Sequence, residues 1–377
     1  MKNIKTLTEA DYNEIFSLSQ FAFQYKLSEE ELQKKKEEVK RHTVWGWMEE
    51  DQIAAKVHLI PLSCYIHGRS FAMGGISSVA TWPEYRRQGM VKHLLYHALK
   101  QMKQNGQTLS FLHPFSFAFY RKYGWEHAFT QQRYSIPLEK LKKEWGGAGY
   151  VRRIQPDIPM LHRIYTEYAK TFNGILERDE KWWKQRVLKD ESQHIAVAFS
   201  AEGYPEGYLI YNVKEQVLTV KEVVYNNLNA RKLLVQFIGN HDSMAEKANL
   251  VVPEDDNLPL LLDEPRFEQK LLPYFMARIV DVKGFLEAYP FQGDGKLTLE
   301  LEDEFLPENS GSYQLGHGDV ANIEAIQCSI QVLTGVLLGY KRPSDYYQVG
   351  LLKGDAQAIE QLEELIPRRQ TYLMDFF

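Results

Sequence analysis

Ser78-Val79-Ala80-Thr81-Trp82-Pro83-Glu84-Tyr85-Arg86-Arg87-Gln88-Gly89-Met90-Val91-Lys92 is the stretch on which the reading of this 377-residue chain turns. The run from Met73 to Thr81 has the composition of a strand and stops at Trp82-Pro83. A basic turn with one glycine follows. From about Gly89 to Gln104 the residues Val91, Leu94, Leu95, Ala98, Leu99 and Met102 recur on one face of a helix, and Gly106 is placed to end it. The first amides of a helix lack internal partners and point outward, and the helix dipole adds positive potential, so phosphate oxygens are favoured there. Gly89 lets the backbone come close to a pyrophosphate, and Arg86, Arg87 and Lys92 add charge. The strand edge at Val79 to Thr81 can hydrogen-bond the amides of an extended arm, as an added strand would. A bare Arg-Arg-x-Gly is common; the strand before it and the helix after it make it specific. A dinucleotide reading fails, because no Gly-x-Gly-x-x-Gly follows a strand and no acidic residue closes the next strand at the expected distance.

Outward from this stretch the chain alternates helical and strand patterns. Thr8 stands as an N-cap with Asp11 three residues on, Leu7 and Tyr12 form a staple, and Tyr12, Ile15, Leu18 and Ala22 continue at helical spacing. Glu29 to Arg41 reads as a solvated helix. Val44 to Met48 and Ile53 to Ile60 make a hairpin around Glu49-Glu50-Asp51. Thr108 to His113 is a strand stopped by Pro114. Gly146-Gly147-Ala148-Gly149 is the best boundary in the chain. The middle repeats the order: helices over 156–172 and around Trp182-Trp183, strands at 195–200, 207–213 and 217–225, a helix over 230–245, a strand at 249–252. Beyond Val282, Leu297, Leu299 and Leu301 alternate with polar residues as a half-buried strand. Helices follow over 330–338, ended by Gly339, and over 356–365. The run Tyr372-Leu373-Met374-Asp375-Phe376-Phe377 is too aromatic to be left loose, so a docked tail is expected.

Length and composition fit this plan. At roughly 150 residues per domain, 377 residues make two to three domains, and 44% hydrophobic with 25% charged residues is ordinary for a globular protein. A net charge of −5 and a pI near 6.2 argue against a general nucleic-acid binder. Cys64 and Cys328 form no metal-ligand spacing, so no metal and two free thiols are expected. Met1-Lys2-Asn3-Ile4-Lys5 leads into no apolar signal region and no apolar run approaches about 18 residues, so a cytoplasmic protein without a membrane span is expected.

The Arg86–Gly89 turn resembles the acetyl-CoA loop of the GNAT superfamily: Arg or Gln, two residues, Gly, one residue, then Gly or Ala. Val91 departs from the last small residue. The whole layout resembles the Eis family of bacterial acetyltransferases (enhanced intracellular survival proteins), in which an active GNAT domain, a degenerate GNAT domain and a sterol-carrier-protein-like domain follow in order. The most specific pieces are Val79-Ala80-Thr81, Arg86-Arg87-Gln88-Gly89, Phe119-Tyr120-Arg121-Lys122-Tyr123-Gly124-Trp125 and the aromatic end. The resemblance implies an α+β fold: tandem GNAT domains with mixed central sheets flanked by helices, then a sterol-carrier-protein-like α/β domain. The boundaries fall at 1–148, 149–281 and 282–377. It implies acetyl-CoA as acyl donor, held by Val79, Ala80 and Thr81, by Arg87, Gln88, Gly89, Met90, Val91 and Lys92, and by Phe115 and Ser116. It implies Tyr120 as general acid toward the CoA thiolate and the terminal carboxylate, here that of Phe377, as general base. It also implies hexamers and small amine acceptors, aminoglycosides among them.

The chemistry stands without the family. Amine acetylation needs a neutral amine, so a base must take a proton. A buried tyrosine hydroxyl can donate to the leaving thiolate. A terminal carboxylate, near 3.3–3.7 when unperturbed, needs raising by burial or a relay through water. Tyr123 is the runner-up to Tyr120. His113 is a second candidate base, though a hydrogen-bonded structural histidine is the commoner outcome. Trp182 and Trp183 read as one packed and one surface indole, and Arg368 and Arg369 as surface residues or partners of acids on another subunit. The second half offers Glu222-Val223-Val224-Tyr225-Asn226-Asn227-Leu228-Asn229-Ala230-Arg231, without a glycine, where the first has its turn, so one cofactor site per chain is expected. The competing reading is a non-catalytic carrier that holds an apolar ligand in its C-terminal domain.

Overall fold

In the computed structural model, which describes residues 3–318 and 325–377, the apolar runs become strands of one continuous sheet. Met1 and Lys2, the start of the polar N-terminal stretch, lie outside the described residues. The strands are β1 (Ile4–Leu7), β2 (Thr43–Glu49), β3 (Gln52–Ile66), β4 (Arg69–Thr81), β5 (Leu109–Leu112), β6 (Glu126–Pro137), β7 (Tyr150–Ile154), β8 (His194–Phe199), β9 (Pro205–Lys214), β10 (Val217–Tyr225), β11 (Lys247–Val252) and β12 (Glu268–Ile279). Their order across the sheet is β1-β2-β3-β4-β5-β12-β6-β11-β10-β9-β8-β7. Helices α1 (Tyr12–Phe23), α2 (Glu29–Val39), α3 (Met90–Gln104), α4 (Phe117–Arg121), α5 (Ile158–Ala169) and α6 (Leu228–Gly239) accompany it. The two halves share one plan. α3 links the parallel pair β4 and β5, and α6 links the parallel pair β10 and β11. Each helix covers a sheet face with an apolar stripe; in α3 it is Leu94, Leu95, Ala98, Leu99 and Met102, all buried.

The sequence patterns miss β6 and β12. β12 starts with Glu268-Gln269-Lys270 and contains Pro273, which reads as a break; the ladder to β6 slips at that proline. Its second half, Phe275 to Ile279, is buried between β5 and β6. A strand from residues 268–279 thus completes the sheet begun by residues 4–112.

Beyond it, β13 (Lys296–Glu302) pairs antiparallel with β14 (Gly311–Gly316) and parallel with β15 (Ile326–Ser329). Leu297, Leu299 and Leu301 face inward, as their alternation predicts. The helix Ile330–Leu338 ends at Gly339 in the left-handed conformation, φ 82°. One apolar core runs through all three segments, joining Phe111, Phe129, Leu161, Phe275, Leu299 and Phe377.

The tail is docked. Its Tyr372 N–H donates to Asn173 O at 3.0 Å, and the Asn173 N–H to Gln370 O at 2.9 Å. Trp182 and Trp183 correct their expectation: both are buried, at 2% and 0% exposure. Successive residues of an α-helix diverge by about 100°, and the single α-turn at Trp182 passes into a π-turn over Trp183–Val187. One indole therefore reaches the tail, donating to Asp375 Oδ1 at 2.7 Å. The other reaches α5, donating to His162 Nδ1 at 3.1 Å.

Three histidines are held neutral by burial. His42 is pushed down to about 3 and His67 to about 4, and His58 is held well below its ordinary value, with neighbouring cations adding to the effect of burial in each. Above the unfolded value of about 6.5 they add no pH dependence. Below it, the unfolded chain binds protons that the folded one does not, so stability falls with pH. The guanidinium denaturation midpoint is expected to decline between pH 6.5 and 4.5, and to decline less in His58→Gln. Equal slopes in the two proteins would refute this account.

Candidate active site

The pairing of β4 with β5 ends where Ile76 faces Leu112. β4 runs on to Thr81, while β5 stops and the chain turns away at Pro114. From Ser77 to Thr81 that edge of β4 has no strand partner among the described residues. On its other edge the ladder slips at the same place: Lys56 faces Ala80 and His58 faces Ser77, so β4 carries an extra residue. Ser78 adopts φ 49°, left-handed for a residue with a Cβ. Lys56, fully buried, donates through Nζ to Ser78 O at 2.9 Å and Oγ at 2.6 Å, and lies 3.2 Å from His58 Nε2. Burial pulls the Lys56 ammonium down to about 7. This contact pins the bulge.

After β4 the chain makes a single turn over Pro83–Tyr85 and then the basic turn. Arg87 (φ 66°) and Gly89 (φ 81°) are both left-handed. A Cβ on Gly89 would meet nothing within 4 Å, so the backbone conformation calls for the glycine and the space above it is open. Gly89 heads α3, and no side chain caps the helix, which leaves the first-turn amides free. Arg86, Arg87 and Lys92 are exposed around them.

A cleft of about 720 Å³ follows this path, lined by Val79, Ala80, Thr81, Arg86, Arg87, Gln88, Gly89, Met90, Val91, Lys92 and Phe115. Ala22, Phe23, Tyr85, Phe119 and Tyr123 also line it. The sequence reading misses Ala22 and Phe23, which the end of α1 brings in from more than 50 residues away without a local signal. Ser116 lies outside the lining; its Oγ caps α4, accepting from the Phe119 N–H at 3.3 Å. Tyr120 and Phe377 lie outside it too.

Tyr120 sits on α4 under the cleft. Its ring is wedged among Phe115, Phe119 and Trp125, with centroids 5.6, 5.1 and 6.3 Å away. Burial, with a smaller effect from Tyr123, pushes the phenol well above its ordinary value. Its hydroxyl therefore holds its proton, and the described residues give it no hydrogen-bond partner.

The tail approaches the same strands. The Phe377 ring lies against Gly75, where an added Cβ would come within 2.7 Å of its Cε2. Gly75 directly precedes the last residue of β4 paired with β5. Phe275 flanks the ring at 4.9 Å and Trp182 at 6.2 Å. Phe376 is exposed, its ring 5.0 Å from that of His113, which is also exposed. Behind them, Arg178 is enclosed and stacked 4.0 Å from the Tyr165 ring. Its Nε donates to Asp375 at 3.1 Å, and its two terminal nitrogens donate to Glu222 at 2.9 and 2.6 Å. The Tyr208 hydroxyl adds a 2.5 Å bond to Glu222. In the second half the turn's place, between β10 and α6, is held by Asn226-Asn227, where the Asn227 side chain caps the helix by accepting from the Ala230 N–H at 2.8 Å. The carboxylate of Glu222 on β10 anchors the tail through Arg178.

Two acetyltransferase (GNAT) domain models match residues 3–128 and 174–279, and a sterol carrier protein domain model matches 282–374. The chain is similar to an uncharacterised N-acetyltransferase of Streptomyces griseus, 24% identical over 63% of this chain; the match spans 64% of that relative's length. It is 24% identical to the N-acetyltransferase Eis of Mycobacterium tuberculosis over 77% of this chain and 76% of the other. Among solved structures, a probable N-acyltransferase from Enterococcus faecalis V583 superposes with a TM-score of 0.93 at 29% identity, covering 99% of both chains. Eis1 of Mycobacterium abscessus superposes with a TM-score of 0.84 at 18% identity, over 99% of this chain and all of that one. The order of three domains and the match along nearly the whole fold have one reading: the chain is an Eis-like member of the GNAT superfamily, with tandem GNAT domains followed by a sterol-carrier-protein-like domain.

Proposed function

We propose that the protein is an acetyl-CoA-dependent N-acetyltransferase acting on a small amine. The observation that carries this reading is the unpaired edge of β4, running from the Ser78 bulge straight into the open turn at the head of α3. An extended pantetheine arm fits beside Val79–Thr81 as an added strand, and its pyrophosphate fits the free amides with Arg87 and Lys92 nearby. The thioester then lies where β4 and β5 part, between α4 and the tail. The amine attacks the thioester carbonyl, its proton passes to a base, and Tyr120 protonates the departing thiolate. We carry the Phe377 carboxylate as that base, directly or through water; the docking of the Phe377 ring against Gly75, beside the end of the β4–β5 pairing, supports the assignment.

Gly89→Asp sets a carboxylate against the pyrophosphate and is expected to weaken acetyl-CoA binding more than tenfold, or about 1.4 kcal/mol. Unchanged affinity by calorimetry in the folded variant would remove the site. A few residues added beyond Phe377 turn its carboxylate into an amide and are expected to lower turnover more than tenfold, whereas an N-terminal tag is not. CoA release measured across polyamines, aminoglycosides, lysine peptides and arylamines identifies the acceptor class. We propose a hexamer on the family layout; light scattering that gives a 44 kDa particle at micromolar concentration would refute it.

The carrier reading draws no support from the C-terminal domain. Among the described residues its apolar interior, around Leu299, Leu315, Leu333 and Leu362, leaves only about 10 Å³. That space is at the lower limit for one water molecule.

A further inference from the structure

Arg278 lies on β12, and its guanidinium is fully enclosed, at 0% exposure. One terminal nitrogen donates to the carbonyl oxygen of Tyr123, and the other to Asp303 Oδ2 at 2.5 Å. The group also packs near the rings of Trp125 and Phe305, 5.8 and 5.9 Å from their centroids. Asp303 follows β13 in the sterol-carrier-like domain and is itself fixed. Its Oδ1 accepts from the Phe305 and Leu306 amides at 3.2 and 3.0 Å, and its Oδ2 from Asn309 Nδ2 at 3.0 Å. On the other side, a Cβ on Gly124 would fall 1.6 Å from Arg278 Nη1. The glycine that closes the Tyr120–Gly124 turn is therefore required by the guanidinium beneath it as well as by its φ of 85°.

An enclosed ion pair is a weak source of stability, since well-packed apolar residues of similar volume often do as well or better. A planar guanidinium with fixed donor directions instead sets geometry. Here it sets the distance between the turn that carries Tyr120 and a domain some 180 residues further along the chain. We propose that Arg278 and Asp303 are positioning residues for Tyr120: they hold the turn so that the hydroxyl meets the thioester sulfur. The sterol-carrier-like domain is then a structural part of the active site. This inference rests on the reading of Tyr120 as general acid.

The test uses the full chain, a control variant and four others: Arg278→Lys, Asp303→Asn, Tyr120→Phe and the double variant Tyr120→Phe/Asp303→Asn. kcat is read from CoA release with the fastest amine of the panel above, and acetyl-CoA affinity by calorimetry. Asp303→Asn is expected to lower kcat at least tenfold while acetyl-CoA affinity stays within twofold. Arg278→Lys, which keeps charge but loses the fork, is expected to fall between wild type and Asp303→Asn. In the Tyr120→Phe background the Asp303 change is expected to add little, because the group it positions is gone. Glu363→Gln serves as control: it breaks the Arg342–Glu363 pair of the same domain, away from the turn, and is expected to leave kcat unchanged. Wild-type kcat in folded Asp303→Asn, or equal kcat losses in Glu363→Gln and Asp303→Asn at matched melting temperature, overturns the positioning role. Should Asp303→Asn not fold, wild-type kcat in Arg278→Lys overturns it instead. Full activity in Tyr120→Phe sinks the acid assignment itself, an outcome distinct from an inactive Tyr120→Phe with an unaffected Asp303→Asn.

Discussion

Tyr120→Phe is expected to reduce turnover by roughly 10²–10⁴ and to leave acetyl-CoA affinity almost intact. The substitution keeps the ring that Phe115, Phe119 and Trp125 enclose and removes only the hydroxyl. That hydroxyl has no hydrogen-bond partner among the described residues, so its loss leaves no orphaned donor or acceptor behind. The melting temperature should therefore hold or rise while kcat falls, a combination that separates a chemical role from a packing one. Because burial raises the phenol well above its ordinary value, the acid stays protonated through neutral pH. The alkaline limb of the kcat profile should lie far above pH 8 and be missing in the variant. Equal activity of the two proteins would pass the role to Tyr123, which lines the cleft, or to water.

Arg178→Met is expected to destabilise the protein by about 3–5 kcal/mol, the usual cost of removing one partner from a buried ionic cluster. It leaves the Glu222 and Asp375 carboxylates enclosed without their cation. Burial alone raises the Glu222 carboxyl; Arg178 and the Tyr208 hydroxyl outweigh it and hold the group below its ordinary value. In the wild type that contribution is present above the unfolded carboxyl value and is lost as pH falls through the lower folded one. The variant reverses the sign: an unpaired buried carboxylate takes up a proton more readily when folded, so acid relieves part of the loss. Thermal melts at pH 7.5 and 5.5 should show the gap between the two proteins narrowing. Replacing Glu222 and Asp375 by Leu alongside Arg178→Met should recover stability without returning the tail to its place. A gap that stays constant or widens in acid would show that the cluster is not ionised as described.

The head of α3 was legible because its evidence is local: a strand, a basic turn, a glycine and an amphipathic stripe within 30 residues, each enforced by neighbours in sequence. The alternation of Leu297, Leu299 and Leu301 was legible for the same reason. Features that depend on distant partners were not. β12 reads as broken at Pro273 because its pairing with β5 and β6 is invisible from its own residues. Nothing in the residues next to Arg278 marks it as enclosed; its partners, Asp303 and the Tyr123 carbonyl, lie 25 and 155 residues away. Trp182 and Trp183 look like one inward and one outward residue on any regular helix, and only the π-turn sends both inward. Phe23 joins the cleft by tertiary packing alone. Val91, the departure from the small residue of the acetyl-CoA loop, still lines the cleft beside Gly89.

The placement of β12 has a consequence for how the protein is made. Leu109 of β5 pairs with Ile279, about 170 residues later, so the first sheet cannot close until that strand has left the ribosome. Until then β5 presents a bare edge of buried-type residues, Leu109 to Leu112, to any strand that meets it. A chain cut after Gly149 keeps the whole basic turn and Tyr120, yet it should aggregate instead of yielding a smaller working unit. Vectorial synthesis thus gives no early foldable half: the nascent N-terminal region depends on chaperones or on speed for longer than its own length requires.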